Sequence, residues 1–312
     1  MPRYVAGDWG TSNLRLFLCD SQGSILESAV GPGVSSVKDP FEDVFESLLK
    51  DWETRFGALP AVLSGMIGSS IGWVQTPYVS CPAIPQNIAA GCIALRAGRV
   101  HIVPGLRCEN RLHTADFMRG EETQVLGALA LDPVLGLGKH LLCLPGTHTK
   151  WVVIENGVIQ EFLTSVTGEL FGALRDHSVL VRAEPINAQA GSGAFAEGVA
   201  RCNDYPSVPI LHRLFECRSR VLSGELPASH AADFLSGLLI ASDIAGALNL
   251  FDPALAKRSL RLIGAPQLTK AYAAALKAKG LEAIQIDGSA AALAGLTSVH
   301  RHLSSQVRAR AG

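Results

Sequence analysis

Apolar and polar positions alternate at the start of the chain. Arg3-Tyr4-Val5-Ala6 predicts a short strand and Leu14 to Cys19 a second. Between them runs the polar loop Gly7-Asp8-Trp9-Gly10-Thr11-Ser12-Asn13, and Asp20-Ser21-Gln22-Gly23 reads as a turn. Nearly half a chain later the same unit recurs. Leu141-Leu142-Cys143-Leu144 is a buried-strand run, Pro145-Gly146-Thr147-His148-Thr149-Lys150 a polar Gly/Thr loop, and Trp151-Val152-Val153-Ile154 a strand closed by Asn156-Gly157. Strand, Gly-Thr loop, strand and glycine turn therefore occur twice.

The rest of the pattern is α/β. A third strand is expected near Ser24 to Glu27, then a helix from Phe41 to Phe56 with Phe41, Val44, Phe45, Leu48, Leu49 and Trp52 on one side. Pro60 to Leu63 reads as a strand entering the Gly/Ser loop Ser64 to Ser70, a place where α/β folds put ligand contacts. Val100 to Pro104 predicts a strand, Gly105 to Phe117 a polar loop, and Val125 to Ala130 an apolar helix behind Met118-Arg119-Gly120-Glu121-Glu122-Thr123-Gln124. Thr164 to Phe171 opens another helix with Thr167 as its cap. A mostly helical insertion, punctuated at Gly191-Ser192-Gly193, is expected from Asn187 to Ala232, and a long helix from Ala232 to Leu250. The strand Ser259 to Ile263 ends in Gly264 and hands over to a helix at Lys270 to Lys279. Ala283 to Ile286 is a last short strand, and Asp287-Gly288-Ser289 opens a final helix, Ala290 to Leu303, with a frayed tail.

Composition narrows the picture. A chain of 312 residues is long enough for two domains with their own cores, and 48% hydrophobic residues against 18% charged ones describe a well-buried protein. A formal net charge of -1 argues against broad electrostatic binding to nucleic acid or anionic membrane. Met1-Pro2-Arg3-Tyr4 leads straight into a strand rather than a signal pattern. Asp233, Asp243 and Asn249 interrupt the long apolar stretch, which reads as a buried helix rather than a membrane span. Seven cysteines, an odd number without paired metal spacing, suit reduced thiols in the cytoplasm.

The loops carry the chemistry. Glycines let backbone approach an anion closely, Thr11, Ser12 and Asn13 add donors, and Asp8 suits a hydrated metal. Two such hairpins facing each other suit a nucleoside triphosphate in a cleft between two similar domains. The ordered set resembles the sugar-kinase, heat-shock-protein and actin superfamily. Gly7 to Arg15, Leu63 to Ser69, Arg119 to Gln124 and Leu144 to Trp151 resemble the 2-dehydro-3-deoxygalactonokinase family, as do Leu262-Ile263-Gly264-Ala265 and Asp287 to Leu296.

That resemblance implies two ribonuclease-H-like (actin-like ATPase) domains around an interdomain ATP cleft. Residues 1–125 would hold the first phosphate hairpin and the substrate loops, and 126–312 the second hairpin and the adenosine-binding turn. The implied reaction is ATP- and Mg2+-dependent phosphorylation of the terminal C6 hydroxyl of 2-dehydro-3-deoxy-D-galactonate in galactonate breakdown. Phosphoryl transfer needs charge neutralisation, an in-line hydroxyl and a nearby carboxylate. Gly10, Thr11, Ser12, Gly146 and Thr147 would cradle phosphates, Gly264 would receive the nucleoside, and Asp8 would organise magnesium. Related kinases place the base at a helix start, commonly Gly-Asp-Gln-Gln. Gly120-Glu121-Glu122-Thr123 stands there, so Glu121 is the first choice and Glu122 or Asp116 the alternatives.

The anionic substrate calls for a cation. Arg119 stands beside the expected base, with Arg107 and Arg111 in the preceding loop. Ser64, Gly65 and Ser69 suit the hydroxyls or keto oxygen, with Trp73 or Tyr78 as a wall. Lys150 reads either as a phosphate contact or as a solvated surface lysine, His148 as a hydrogen-bonded loop residue, and Trp9 and Trp151 as packing. The partner is a small sugar acid, with no nucleic acid and no membrane; a homodimer is left open. The rival readings are a kinase of the same fold for another sugar, and a nucleotide-gated sugar-binding or actin-like protein without kinase activity.

Overall fold

The structure is a computed structural model that describes residues 3–181 and 193–311. Gly191, Ser192 and the start of the expected insertion lie outside the described residues. Two compact units emerge, one of residues 1–139, 153–162 and 287–312, the other of 140–152 and 163–286.

The first unit opens with β1 (Arg3–Trp9), β2 (Asn13–Asp20) and β3 (Ile25–Pro32), an antiparallel meander. After α1 (Phe41–Phe56), β4 (Ala61–Gly65) returns parallel to β1, pairing Asp8 with Ser64 and Trp9 with Gly65. Strand β5 (Tyr78–Ser80), helix α2 (Pro85–Ala90), and strands β6 (Ile93–Leu95) and β7 (Val100–Ile102) follow. The main sheet runs β3-β2-β1-β4-β7-β6. Its central strands are nearly continuously buried, as strands covered on both faces should be. Val5, Leu14, Leu16, Phe45, Leu49 and Leu63 lie in one core with Trp9, whose indole N–H donates to Pro32 O at 3.0 Å.

The segment expected to be a polar loop is instead structured. β8 (Gly105–Glu109) and β9 (Ala115–Met118) form a hairpin, and β5 pairs with β8 to complete a three-stranded sheet. Leu106 and Cys108 point inward while Arg107 and Glu109 point outward, so the polar residues are one face of a strand. Helix α3 (Glu121–Leu131) follows at once.

A second, five-stranded sheet repeats the plan. Strands β10 (Lys139–Leu144), β11 (Thr149–Glu155) and β12 (Val158–Ser165) are followed by α4 (Thr167–His177), α5 (Ala194–Asp204), α6 (Glu216–Leu222), α7 (Ala231–Leu250) and α8 (Pro253–Ser259). Then come β13 (Arg261–Gly264), α9 (Pro266–Lys277) and β14 (Ile284–Asp287). The sheet order is β12-β11-β10-β13-β14, with β10 parallel to β13. Both sheets thus place the first strand of the hairpin between its partner and a parallel fourth strand. Thr167 does not cap α4: Val166 takes that position, and the Thr167 hydroxyl lies 2.8 Å from Ser165 Oγ.

Helix α7 has the length and composition of a membrane span but is mostly packed inside the unit, with Phe234, Leu235, Leu238 and Ile244 wholly buried. Its Asp243 is half-buried, and accepts from Trp151 Nε1 at 3.0 Å, Ser165 Oγ at 2.8 Å and Tyr272 OH at 2.5 Å. Burial raises that carboxyl above the usual carboxylate range, and these donors oppose the shift.

The last helix, α10 (Gly288–Ala311), belongs to the first unit and extends well past the expected end at Leu303. Asp287 Oδ1 caps it, accepting from Ser289 N at 3.0 Å and Ala290 N at 2.8 Å. Tyr4 OH lies 2.7 Å from Thr297 Oγ1, and the His300 ring stacks on Tyr4 with centroids 4.0 Å apart. Burial, reinforced by His101 and Arg301, pushes His300 down to about 4. The folded state therefore binds fewer protons than the unfolded chain between pH 6.5 and 4, and stability falls as pH drops through that window. Unfolding in urea should show about 2 kcal/mol lost between pH 7 and pH 5 on this account. The loss should shrink by about that amount in His300→Phe; an unchanged pH dependence in the variant would refute the assignment.

Candidate active site

In the first unit, three backbone features meet at the end of β1. Gly65 has a φ of +91°, and a Cβ there would lie 2.8 Å from Trp9 O and 3.4 Å from Asp8 Oδ1. Gly120 has a φ of +103°, and its Cβ would lie 3.6 Å from the Cα of Gly65. Only glycine takes such backbone readily while leaving room for so close an approach. The Asp-containing strand, the Gly/Ser loop and the Gly-Glu-Glu helix start therefore converge.

The carboxylates at this point differ sharply. Glu122 is fully buried, and accepts from Gly120 N at 2.6 Å and Thr123 Oγ1 at 3.0 Å. Burial, then the neighbouring Glu121 charge, pushes its carboxyl up to about 8, so it is largely protonated at neutral pH and enclosed. Asp116 is buried within the β8–β9 hairpin, where it accepts from Phe117 N at 2.8 Å and Asn110 Nδ2 at 3.2 Å. Glu121 is half-buried, with Oε2 accepting from Arg119 N at 3.1 Å. Of the three, Glu121 has the access a base requires.

Asp8 is also half-buried. Its Oδ2 lies 2.6 Å from Arg15 Nη2, and Arg15 Nη1 donates to Ser289 Oγ at 2.7 Å. A half-buried carboxylate beside an exposed Gly-Thr turn would suit Mg2+, which keeps several waters and takes one or two carboxylates with substrate phosphates.

The first loop is a tight turn in which Gly10 N donates to Asn13 O at 2.9 Å, leaving Thr11 and Ser12 exposed. It is braced from behind. Val34 N donates to Gly10 O at 3.0 Å and Ser35 N to Thr11 O at 3.1 Å, while a Cβ on Gly33 would fall 2.2 Å from Ser12 C. The second unit does the same: Glu169 N donates to Thr147 O at 2.9 Å, and a Cβ on Gly168 would fall 2.4 Å from Gly146 O. The sequence placed Gly168 in a helix start and gave Gly33 no role; neither carried a signal for bracing a loop, although each comes after the third strand of its repeat. On the other side of the second loop, a Cβ on Gly264 would lie 3.3 Å from Pro145 O, bringing the expected nucleoside turn beside the phosphate loop.

Other side chains take specific positions. Ser64 is buried at the end of β4, and the Ser69 hydroxyl donates to Met66 O at 2.7 Å, closing its own turn. Arg119 donates from Nη1 to Thr76 Oγ1 and from Nη2 to Thr76 O at 3.0 Å, with its guanidinium 4.4 Å from the centre of the Tyr78 ring. Thr76 carried no sequence signal. His148 is a loop residue as expected, 2.5 Å from Glu169 Oε2. Lys150 is not a solvated surface lysine: it is buried, with Nζ directed at His148 O at 3.4 Å.

The profile of the family described as 2-keto-3-deoxy-galactonokinase matches residues 8–299. A Rhizobium meliloti (strain 1021) protein named as a 2-dehydro-3-deoxygalactonokinase is 36% identical over 96% of both chains. The Escherichia coli (strain K12) 2-dehydro-3-deoxygalactonokinase is 34% identical over 95% of this chain and 97% of its own. A Sinorhizobium meliloti crystal structure named for the same enzyme superposes with a TM-score of 0.84 at 35% identity, over 96% of this chain and 98% of that one. The Clostridium difficile activator of 2-hydroxyisocaproyl-CoA dehydratase, solved with bound ADPNP, is 12% identical over 98% of this chain and 97% of its own, at a TM-score of 0.52. That last likeness shows the fold alone. With a profile match over nearly its whole length and two relatives more than a third identical end to end, this chain belongs to the 2-keto-3-deoxy-galactonokinase family.

Proposed function

We propose that the chain uses ATP to phosphorylate the terminal C6 hydroxyl of 2-dehydro-3-deoxy-D-galactonate, with Glu121 as the base. The observation that carries this reading is the meeting of Asp8, Gly65 and Gly120, with Glu121 as the accessible carboxylate beside them. Backbone amides of Gly10, Thr11, Gly146 and Thr147, with the hydroxyls of Thr11, Ser12 and Thr147, cradle phosphates. Gly264 allows the nucleoside close to the second loop. Asp8 holds Mg2+ through water, and the ion, when bound, neutralises phosphate charge. Ser64, Gly65, Ser69 and Arg119 form the acceptor side. Functionally, residues 1–125 bring the first hairpin and the substrate loops, and 126–312 the second hairpin and the nucleoside turn. Seven free cysteines support a cytoplasmic enzyme of sugar-acid breakdown.

The test is ADP release with Mg-ATP on the galactonate-derived acid, its gluconate epimer and common hexoses. The galactonate-derived acid should give the highest kcat/KM. Faster turnover of another sugar would move the assignment to a different kinase of this fold. ATP binding without turnover of any acceptor would end the kinase reading.

A further inference from the structure

Arg107, Arg111 and Arg119 precede the expected base, and the structure separates them. Arg111 places Nε and Nη2 3.0 and 2.7 Å from Glu161 Oε1, so its charge is matched within the fold. Arg119 gives Nη1 and Nη2 to Thr76, and its Nε is enclosed without an acceptor. The guanidinium of Arg107 is exposed and makes no hydrogen bond or ion pair among the described residues.

Its surroundings suit an anion with an apolar body. Arg107 stands in the middle strand of the small sheet, paired with Ser80 on one side and Phe117 on the other. Tyr78 leans over Gly105, where a Cβ would lie 2.6 Å from the ring, and meets Phe117 edge-on with centroids 5.0 Å apart. The outward face therefore carries Arg119, Tyr78, Phe117 and Arg107 in a row. Glu109, the next outward residue on the strand, lies 3.1 Å from His113 Nδ1.

The same row of side chains leads from the expected base to Arg107. Glu121 Oε2 accepts from the backbone of Arg119. Two residues back along the chain, Phe117 sits opposite Arg107. We propose that Arg107 receives the C1 carboxylate of the acceptor, with Arg119 as the positioning residue that holds the Tyr78 wall. This rests on the kinase reading above.

The test compares the acid with its uncharged C1 amide in wild type, Arg107→Ala, Arg107→Lys and Arg111→Ala. Arg107→Ala should raise KM for the acid about 100-fold, the cost of a lost charge-assisted pair. It should leave the KM for ATP unchanged and erase the preference for acid over amide. Arg107→Lys should recover part of that preference, and Arg111→Ala should match wild type. An Arg107→Ala enzyme that still prefers the acid, or that loses acid and amide turnover alike, overturns the proposal while the kinase reading stands. A wild type that turns over no acid overturns both.

Discussion

Glu121→Gln is expected to lower kcat by about 10²- to 10⁴-fold, the usual contribution of a positioned general base, with ATP affinity intact. The neutral amide can still accept from Arg119 N, so the local backbone keeps its contact while the proton acceptor is gone. Glu122→Gln supplies the contrast. Glu122 is already largely protonated at neutral pH and out of reach of substrate, so its loss should leave kcat within a few-fold of wild type. The same change removes an acceptor from either Gly120 N or Thr123 Oγ1, so the melting temperature should fall by a few degrees. Single-turnover rates and isothermal ATP titration on both variants decide the matter. Full activity in Glu121→Gln with collapse in Glu122→Gln would reverse the assignment.

The second large effect concerns stability. Where α3 and α10 cross, a Cβ on Gly127 would lie 1.7 Å from Ala291 O, and one on Gly295 would lie 1.9 Å from Thr123 O. The obstacles are backbone atoms of a neighbouring helix, so no rotamer change relieves them and the helices must separate. Gly127→Ala or Gly295→Ala should cost about 3–5 kcal/mol, the upper range for overpacking. That is a large share of a typical folding free energy of roughly 5–15 kcal/mol. Gly172→Ala in α4 is the control: its Cβ would meet nothing within 4 Å, and replacing a helical glycine there should be neutral or stabilising by about 0.5–1 kcal/mol. Equal melting temperatures for all three variants would show that the crossing is not tight. The second unit has a matching pair, Gly198 and Gly237, each with a facing helix carbonyl within 2.3 Å of the absent Cβ.

Much of the organisation was legible because an anion-binding hairpin, the reading given to both loops, constrains its own sequence. Glycine and threonine are required where backbone must approach an anion, so the two loops stood out without any structure. The α1 stripe was equally plain, and its limits, Phe41–Phe56, match the expectation. Other features depend on distant residues. Gly105 to Phe117 looked like a loop because half of its side chains are polar; the pairing of its two halves with each other and with Tyr78–Ser80 makes it a sheet. Lys150 gave no sign of being buried. Glu121 and Glu122 are adjacent and alike in chemistry; a turn of about 100° along the helix separates an accessible carboxylate from an enclosed acid. The brace at Gly33 and Gly168 became visible only when each glycine was found pressed on its loop.

The return of α10 to the first unit has a consequence for biosynthesis. Tyr4 meets Thr297, a residue 293 positions later, and the sheet that begins at Arg3 acquires this cover only then. At roughly 5–20 residues per second, a ribosome takes about 15–60 s to cover that interval. During this time Tyr4 lacks its α10 cover, and the emerging N-terminal sheet is a natural client for chaperones. A premature stop before Gly288 would therefore leave both Gly-Thr loops translated and still strand the first of them on an unfinished domain.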